Sequence, residues 1–208
     1  MREFIYSFIT FLIFSLIAVC GFYLSETGYT FLYNDISQFG WAYFFISILL
    51  MLLLHDTYFY WTHRLMHHKA LFNLFHKVHH LSNNPSPWAA FAFHPLEAVV
   101  EGGILLLIIF VIPSHPMAIF IFLLIMTVMN VLGHLGYEIY PENFLKHPIG
   151  KWNNTSTHHN MHHRLVKCNY GLYFNIWDKI MGTNHELYEK SFEEIASRRK
   201  IPEMVPES

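Results

Sequence analysis

The chain has 208 residues, of which 53% are hydrophobic and 18% aromatic, and only 13% are charged, about half the ~25% of a soluble domain. That balance argues for a single integral membrane domain, and a net charge of −2 without a basic patch excludes a nucleic-acid partner. The two cysteines, Cys20 and Cys168, form no CxxC pair and are not expected to bridge.

Four apolar segments follow in chain order. Phe4 to Leu24 carries no charge over 21 residues, enough for the ~20 that span a bilayer. No small-residue cleavage site closes it, so it is expected to be a membrane helix and not a removed leader. Phe39–Leu54 is the second, continuing as Tyr58–Trp61 beyond His55 and Asp56. Ala98–Ile112 is the third, only 15 residues long, and Met117–Leu135 is the fourth. Pro113-Ser-His-Pro116 breaks the chain between them. Membrane helices are thus predicted over 4–24, 39–61, 98–112 and 117–135.

Basic residues give the orientation. Arg2 precedes the first segment, Arg64, Lys69 and Lys77 lie between the second and third, and the other nine follow the fourth. Loops 25–38 and 113–116 have none. The positive-inside rule predicts both termini and residues 55–97 in the cytoplasm, in a bacterial inner membrane or the endoplasmic reticulum. The expected fold is all-α: about four membrane helices carrying a cytosolic helical cap built from 55–97 and 136–190, in one domain over 1–190, with a charged tail over 191–208.

Sixteen residues are histidine, and three clusters stand out: His63/His67, His76/His79/His80 and His159/His162/His163. Residues at i, i+3 and i+4 share one helix face, and neutral imidazole is the commonest transition-metal ligand. Eight convergent imidazoles exceed what one ion uses, so a two-metal site is expected. His68 and His158 adjoin these boxes as alternatives to His67 and His159, and His55 is expected to stack beneath the site.

These boxes, with His55-Asp-Thr-Tyr-Phe-Tyr-Trp-Thr-His63, Pro85-Ser-Pro87, His94-Pro-Leu-Glu97, Asn169-Tyr-Gly171 and Trp177-Asp-Lys-Ile-Met-Gly-Thr183, resemble the sterol desaturase/fatty acid hydroxylase family over residues 40–185. The resemblance implies two histidine-held irons, consumption of O2 and a lipid substrate that is hydroxylated or desaturated. His134, at the cytosolic end of the fourth segment, and His94, in the family-like stretch just before the third, both face the boundary between cap and membrane and are the expected additional ligands, giving about five per metal with room for O2. No catalytic group beyond the ligands is singled out. Metal-bound imidazoles usually donate their other N–H to a carboxylate or carbonyl, and Asp56, Glu97 and Asp178 are candidate acceptors.

Imidazole alone does not choose the metal. Zinc as isolated, and with it a zinc hydrolase, a metal sensor or a transporter, remains the alternative. Trp88, Phe91 and Phe93 are candidates for an apolar access path for lipid. No flavin, nicotinamide or iron–sulfur motif occurs, so an external electron donor such as a ferredoxin or cytochrome b5 is expected.

Overall fold

The computed structural model describes residues 1–82 and 86–198. Pro85 of the Pro85-Ser-Pro87 stretch, and residues 199–208 of the tail, lie outside them. The fold is all-helical. Among the described residues extended pairing is confined to two isolated bridges, Leu32 with Ser114 and Asn153 with Phe174.

Helix α1, Arg2–Glu26, is inverted relative to a water-soluble helix. Its buried residues are the small Ser7, Thr10 and Gly21, while Phe8, Leu12, Leu16 and Val19 are more than half exposed. In lipid, small residues let helices approach closely and large apolar ones face the acyl chains. Helix α2, Gly40–Met66, runs unbroken past Asp56 and carries His63 in its last turn. The sequence reading stops this helix at 61. It continues a further turn to Met66, and Asp56 within it is buried, its Oδ1 accepting the backbone N–H of Tyr173 (2.8 Å) and Phe174 (3.1 Å). A satisfied buried carboxylate does not interrupt a helix.

Two short helices follow, α3 (Phe72–Phe75) and α4 (Lys77–His80). Helix α5 is Pro95–Val111 and α6 is Pro116–Gly133. Both begin with proline at the first helical position, where its missing N–H is no loss. In each, the preceding histidine, His94 or His115, caps a backbone N–H through Nδ1. Phe44, Ile48 and Met51 of α2 pack against Ile104 and Ile108 of α5 and Phe122 of α6. Helices α1, α2 and α6 are long and apolar enough to cross a membrane; α5 has 17 residues.

The two loops without Lys or Arg meet at one end of this bundle. Phe31 N–H donates to Ile109 O (2.9 Å), and Tyr33 N–H to Ser114 O (3.2 Å). At the other end lie α7 (Ser156–Leu165), α8 (Ile176–Ile180) and α9 (Tyr188–Arg198). The domain boundary read at residue 190 falls inside α9. Tyr188, Phe192 and Ala196, one helical turn apart, are buried against Leu145, so this charged segment is anchored through one apolar stripe.

Candidate metal centre

The histidines are delivered by the ends of helices. His63 and His67 come from the end of α2, His76, His79 and His80 from α4 and its N-cap, His134 from the end of α6, and His159, His162 and His163 from α7. They converge into two groups. One contains His63, His67, His76, His80 and His162, and the other His79, His134, His159 and His163. The ligand atoms of each group lie within 4.8 Å of one another. In the second box the i, i+4 pair (His76, His80) enters the first group and the i+3 residue (His79) the second. The third box reverses this: His159 and His163 enter the second group and His162 the first.

Within the first group, Nε2 of His63 is 2.9 Å from that of His76 and 3.3 Å from that of His67. The His162 Nε2 is 3.0 Å from His80 and 3.1 Å from His67. In the second, the His159 Nε2 is 2.8 Å from His134 and 3.0 Å from His163. Metal–nitrogen bonds of roughly 2.1 Å at right angles put neighbouring nitrogens roughly 3.0 Å apart.

Hydrogen bonds fix which nitrogen several of these rings present to the centre. The Nδ1 of His63 donates to Tyr170 O (2.8 Å), that of His162 to Cys168 O (2.7 Å) and that of His134 to Asn130 O (2.8 Å). The His76 Nδ1 lies 2.5 Å from Glu97 Oε1. A carbonyl can only accept, so these Nδ1 atoms carry the proton and their Nε2 atoms present lone pairs. Lone pairs facing each other at 3 Å in a buried pocket repel unless a cation sits between them. Burial also pushes His76, His79, His159, His162 and His163 well below the ordinary histidine value, and His80 and His134 to about 4. Facing imidazoles reinforce this for the first five. All seven are thereby kept neutral, the ligating form.

His94 is the exception among the predicted ligands. It lies in neither group; with Pro95 fixed at the helix start, its Nδ1 is turned to the Leu96 N–H (3.3 Å). His68 is exposed, and His158 is buried beside Asp178 at 3.7 Å, outside both groups. Of the candidate carboxylates, Glu97 alone meets a ligand directly. Asp56 instead fixes the 173–174 backbone, and Asp178 accepts from Tyr170 N (2.9 Å) and Gly171 N (2.7 Å). Asp178 thus holds the loop whose Tyr170 carbonyl orients His63. Tyr170, which entered the sequence reading only through the family-like Asn169-Tyr-Gly171 stretch, also packs its ring against His63, His67 and His162. Spacing carries no sign of the contacts with His63 and His67, which lie about a hundred positions away.

Bordering the centre is an apolar cavity of about 310 Å³ between α1, α2, α5 and α6. Phe59, which packs on His63 at 4.9 Å, and Phe93, which packs on His79 at 5.3 Å, line it. So does Phe91, whereas Trp88 is exposed and packs on Phe4. His55 lines the cavity too, with its ring against Phe122 and Tyr173.

Comparison with known proteins agrees with this geometry. The model of the fatty acid hydroxylase family matches residues 48–183. A delta(7)-sterol 5(6)-desaturase of Gibberella zeae is 32% identical over 164 residues, covering 78% of this chain and 49% of that protein. Lathosterol oxidase of Rattus norvegicus is 34% identical and that of Homo sapiens 30%, each over 81% of this chain and 56% of the relative. The chain therefore spans about half the length of these relatives. No solved structure matches it.

Proposed function

The chain belongs to the fatty acid hydroxylase family, and from that premise we propose that it oxidises a C–H bond of a membrane lipid with O2 at a centre of two histidine-held irons. One observation carries the reading: two groups of inward-facing imidazole nitrogens border an apolar cavity in a membrane protein. Bound iron would supply reduction of O2 and cleavage of an unactivated C–H bond, leaving a hydroxyl or a double bond.

The chain's own residues do the rest. His63, His67, His76, His80 and His162 would hold one ion, and His79, His134, His159 and His163 the other. The second set has one histidine fewer than the first. Tyr170 O, Cys168 O, Asn130 O and Glu97 fix the tautomer and direction of four rings. Phe59, Phe72, Phe93 and Tyr170 pack over the imidazoles and exclude water. Without water, an oxidant meets the lipid and not a competing solvent proton. Asp56 and Asp178 clamp the 170–174 segment against α2 and α8.

We read residues 1–198 as one oxygenase unit with the centre and both termini cytoplasmic. The meeting of the two Lys/Arg-free loops at the end opposite the histidines supports that orientation. Electrons would come from a soluble or membrane donor such as a ferredoxin or cytochrome b5. The names of the relatives make a delta(7)-sterol the first substrate to try.

The test is metal content followed by turnover. Protein purified anaerobically from iron-replete cells should hold about two irons per chain by mass spectrometry, and His79→Ala with His162→Ala should remove them. Incubation with lathosterol, a reductant system and O2 should consume O2 with a new oxidised lipid. One metal or none per chain overturns the two-metal centre. Two zincs with hydrolytic but no oxidative turnover moves the protein to a different chemistry.

A further inference from the structure

The cavity beside the metal centre contains an ionisable group that the proposed chemistry does not use. Glu101 lines it from α5, with 7% of its surface exposed. No hydrogen bond joins its carboxyl to any described residue. Of the other polar groups on the wall, Ser15 Oγ donates to Phe11 O (2.8 Å) and Asn130 Nδ2 to Ala90 O (2.7 Å), and Thr127 brings a further hydroxyl. The neighbouring Tyr58 hydroxyl donates to Val100 O (2.7 Å). His55 shares its Nδ1 with the Tyr173 hydroxyl (2.7 Å), which leaves Nε2 free to act as donor or acceptor. Buried polar groups in proteins are almost always hydrogen-bonded, and an exception calls for an explanation.

Resting on the lipid-oxidising reading above, we propose that Glu101 and His55 form the seat for a hydroxyl group on the lipid that fills this cavity. A hydroxyl both donates and accepts, so it can exchange one hydrogen bond with the Glu101 carboxyl and another with the His55 Nε2. A hydrocarbon chain offers neither. A free fatty acid would set a second carboxyl group against Glu101, and a protonated amine has donors only. The position also fits. Glu97 and Glu101 are i, i+4 on α5 and divide their work, since Glu97 holds His76 while Glu101 faces the cavity. The seat lies four residues further along α5, roughly 6 Å, so a hydroxyl held there fixes which carbon is presented to the metals.

The experiment compares matched probes on the metal-loaded full chain in detergent. The probes are dehydroergosterol and its methyl ether, 1-hexadecanol and its methyl ether, and the 3-amino analogue of the sterol. Wild type should bind at least one alcohol tenfold or more tightly than its ether. Glu101→Leu should cut that preference below threefold with ether affinity unchanged, and Glu101→Gln, which still accepts, should keep most of it. Metal content per chain shows whether each variant is folded, and the wild-type comparison needs no variant. Equal binding of alcohols and ethers overturns the hydroxyl seat and leaves lipid oxidation standing. Binding of none of the probes overturns both. A preference that survives in Glu101→Leu, or an amine that outbinds the alcohol, also overturns the assignment.

Discussion

Removing the Glu97 side chain tests the metal centre without touching a ligand. Glu97 is 1% exposed and its Oε1 is 2.5 Å from the His76 Nδ1. In Glu97→Ala that N–H loses its acceptor inside a pocket without solvent. A buried donor left unpaired costs about 1–3 kcal/mol, and at 1.4 kcal/mol per tenfold this is about 5- to 140-fold in affinity. Loss of such supporting partners from metal sites costs about 10–100-fold. The weakening should fall on the group that contains His76 and spare the group built on His134. Competition with a graded iron chelator, read as iron per chain, should show half the metal released at markedly lower chelator concentration. Glu97→Gln keeps an acceptor at Oε1 and should lie between Ala and wild type. A Glu97→Ala curve superimposed on that of wild type would falsify the support role and the tautomer argument built on it.

Four further outcomes follow from the geometry. In wild type, chelator should strip the His79/His134/His159/His163 ion first, because that group has four members against five. Extended X-ray absorption after half-depletion should then show the richer nitrogen shell; a poorer one would reverse the order. His94→Ala should keep both metals and lose about 0.5–2 kcal/mol of stability as a missing helix cap, whereas loss of an ion would return His94 to the ligand set. In Gly171→Ala the new Cβ would lie 2.4 Å from Phe174 O. The 169–174 turn must shift and withdraw the Tyr170 carbonyl from His63, so the metal of the first group should be lost together with thermal stability; retention of both would refute this.

The fourth outcome concerns pH. In the metal-free protein, burial holds His80 and His134 at about 4 against an ordinary 6.5. Between those values the unfolded chain binds protons that the fold does not, so stability is complete above pH 6.5 and falls as pH drops towards 4. The melting midpoint should be lower at pH 5 than at pH 7.5; equality or the reverse order would contradict the neutral-imidazole arrangement.

The histidine boxes were readable because helix geometry ties their spacing to a face. Their division between two groups was not, since it depends on how α4 and α7 face each other across the centre. His94 was singled out for its place just before α5, and the structure makes it that helix's cap, outside both clusters. Asp56 was recognisable as a carboxylate needing a partner, but its partners stand 117 and 118 positions away. The cavity draws on four helices and was visible only as isolated aromatics. The stripe of Tyr188, Phe192 and Ala196 was legible at helical spacing, but the charges around it suggested a free tail.

Helix lengths carry a consequence for the surrounding membrane. At 1.5 Å per residue, α5 and α6, with 17 and 18 residues, extend roughly 26–27 Å, while α1, with 25, extends roughly 38 Å. A typical hydrocarbon core measures about 30 Å. The lipid around the α5–α6 hairpin therefore meets a short wall and that around α1 a tall one, and the bilayer relieves such mismatch by thinning or by tilting the helices. Thin membranes would match the hairpin and thick ones would strain it. Acyl-chain length in the host membrane thus becomes a physical setting of this protein, acting through the height of the cavity walls relative to the lipids they receive.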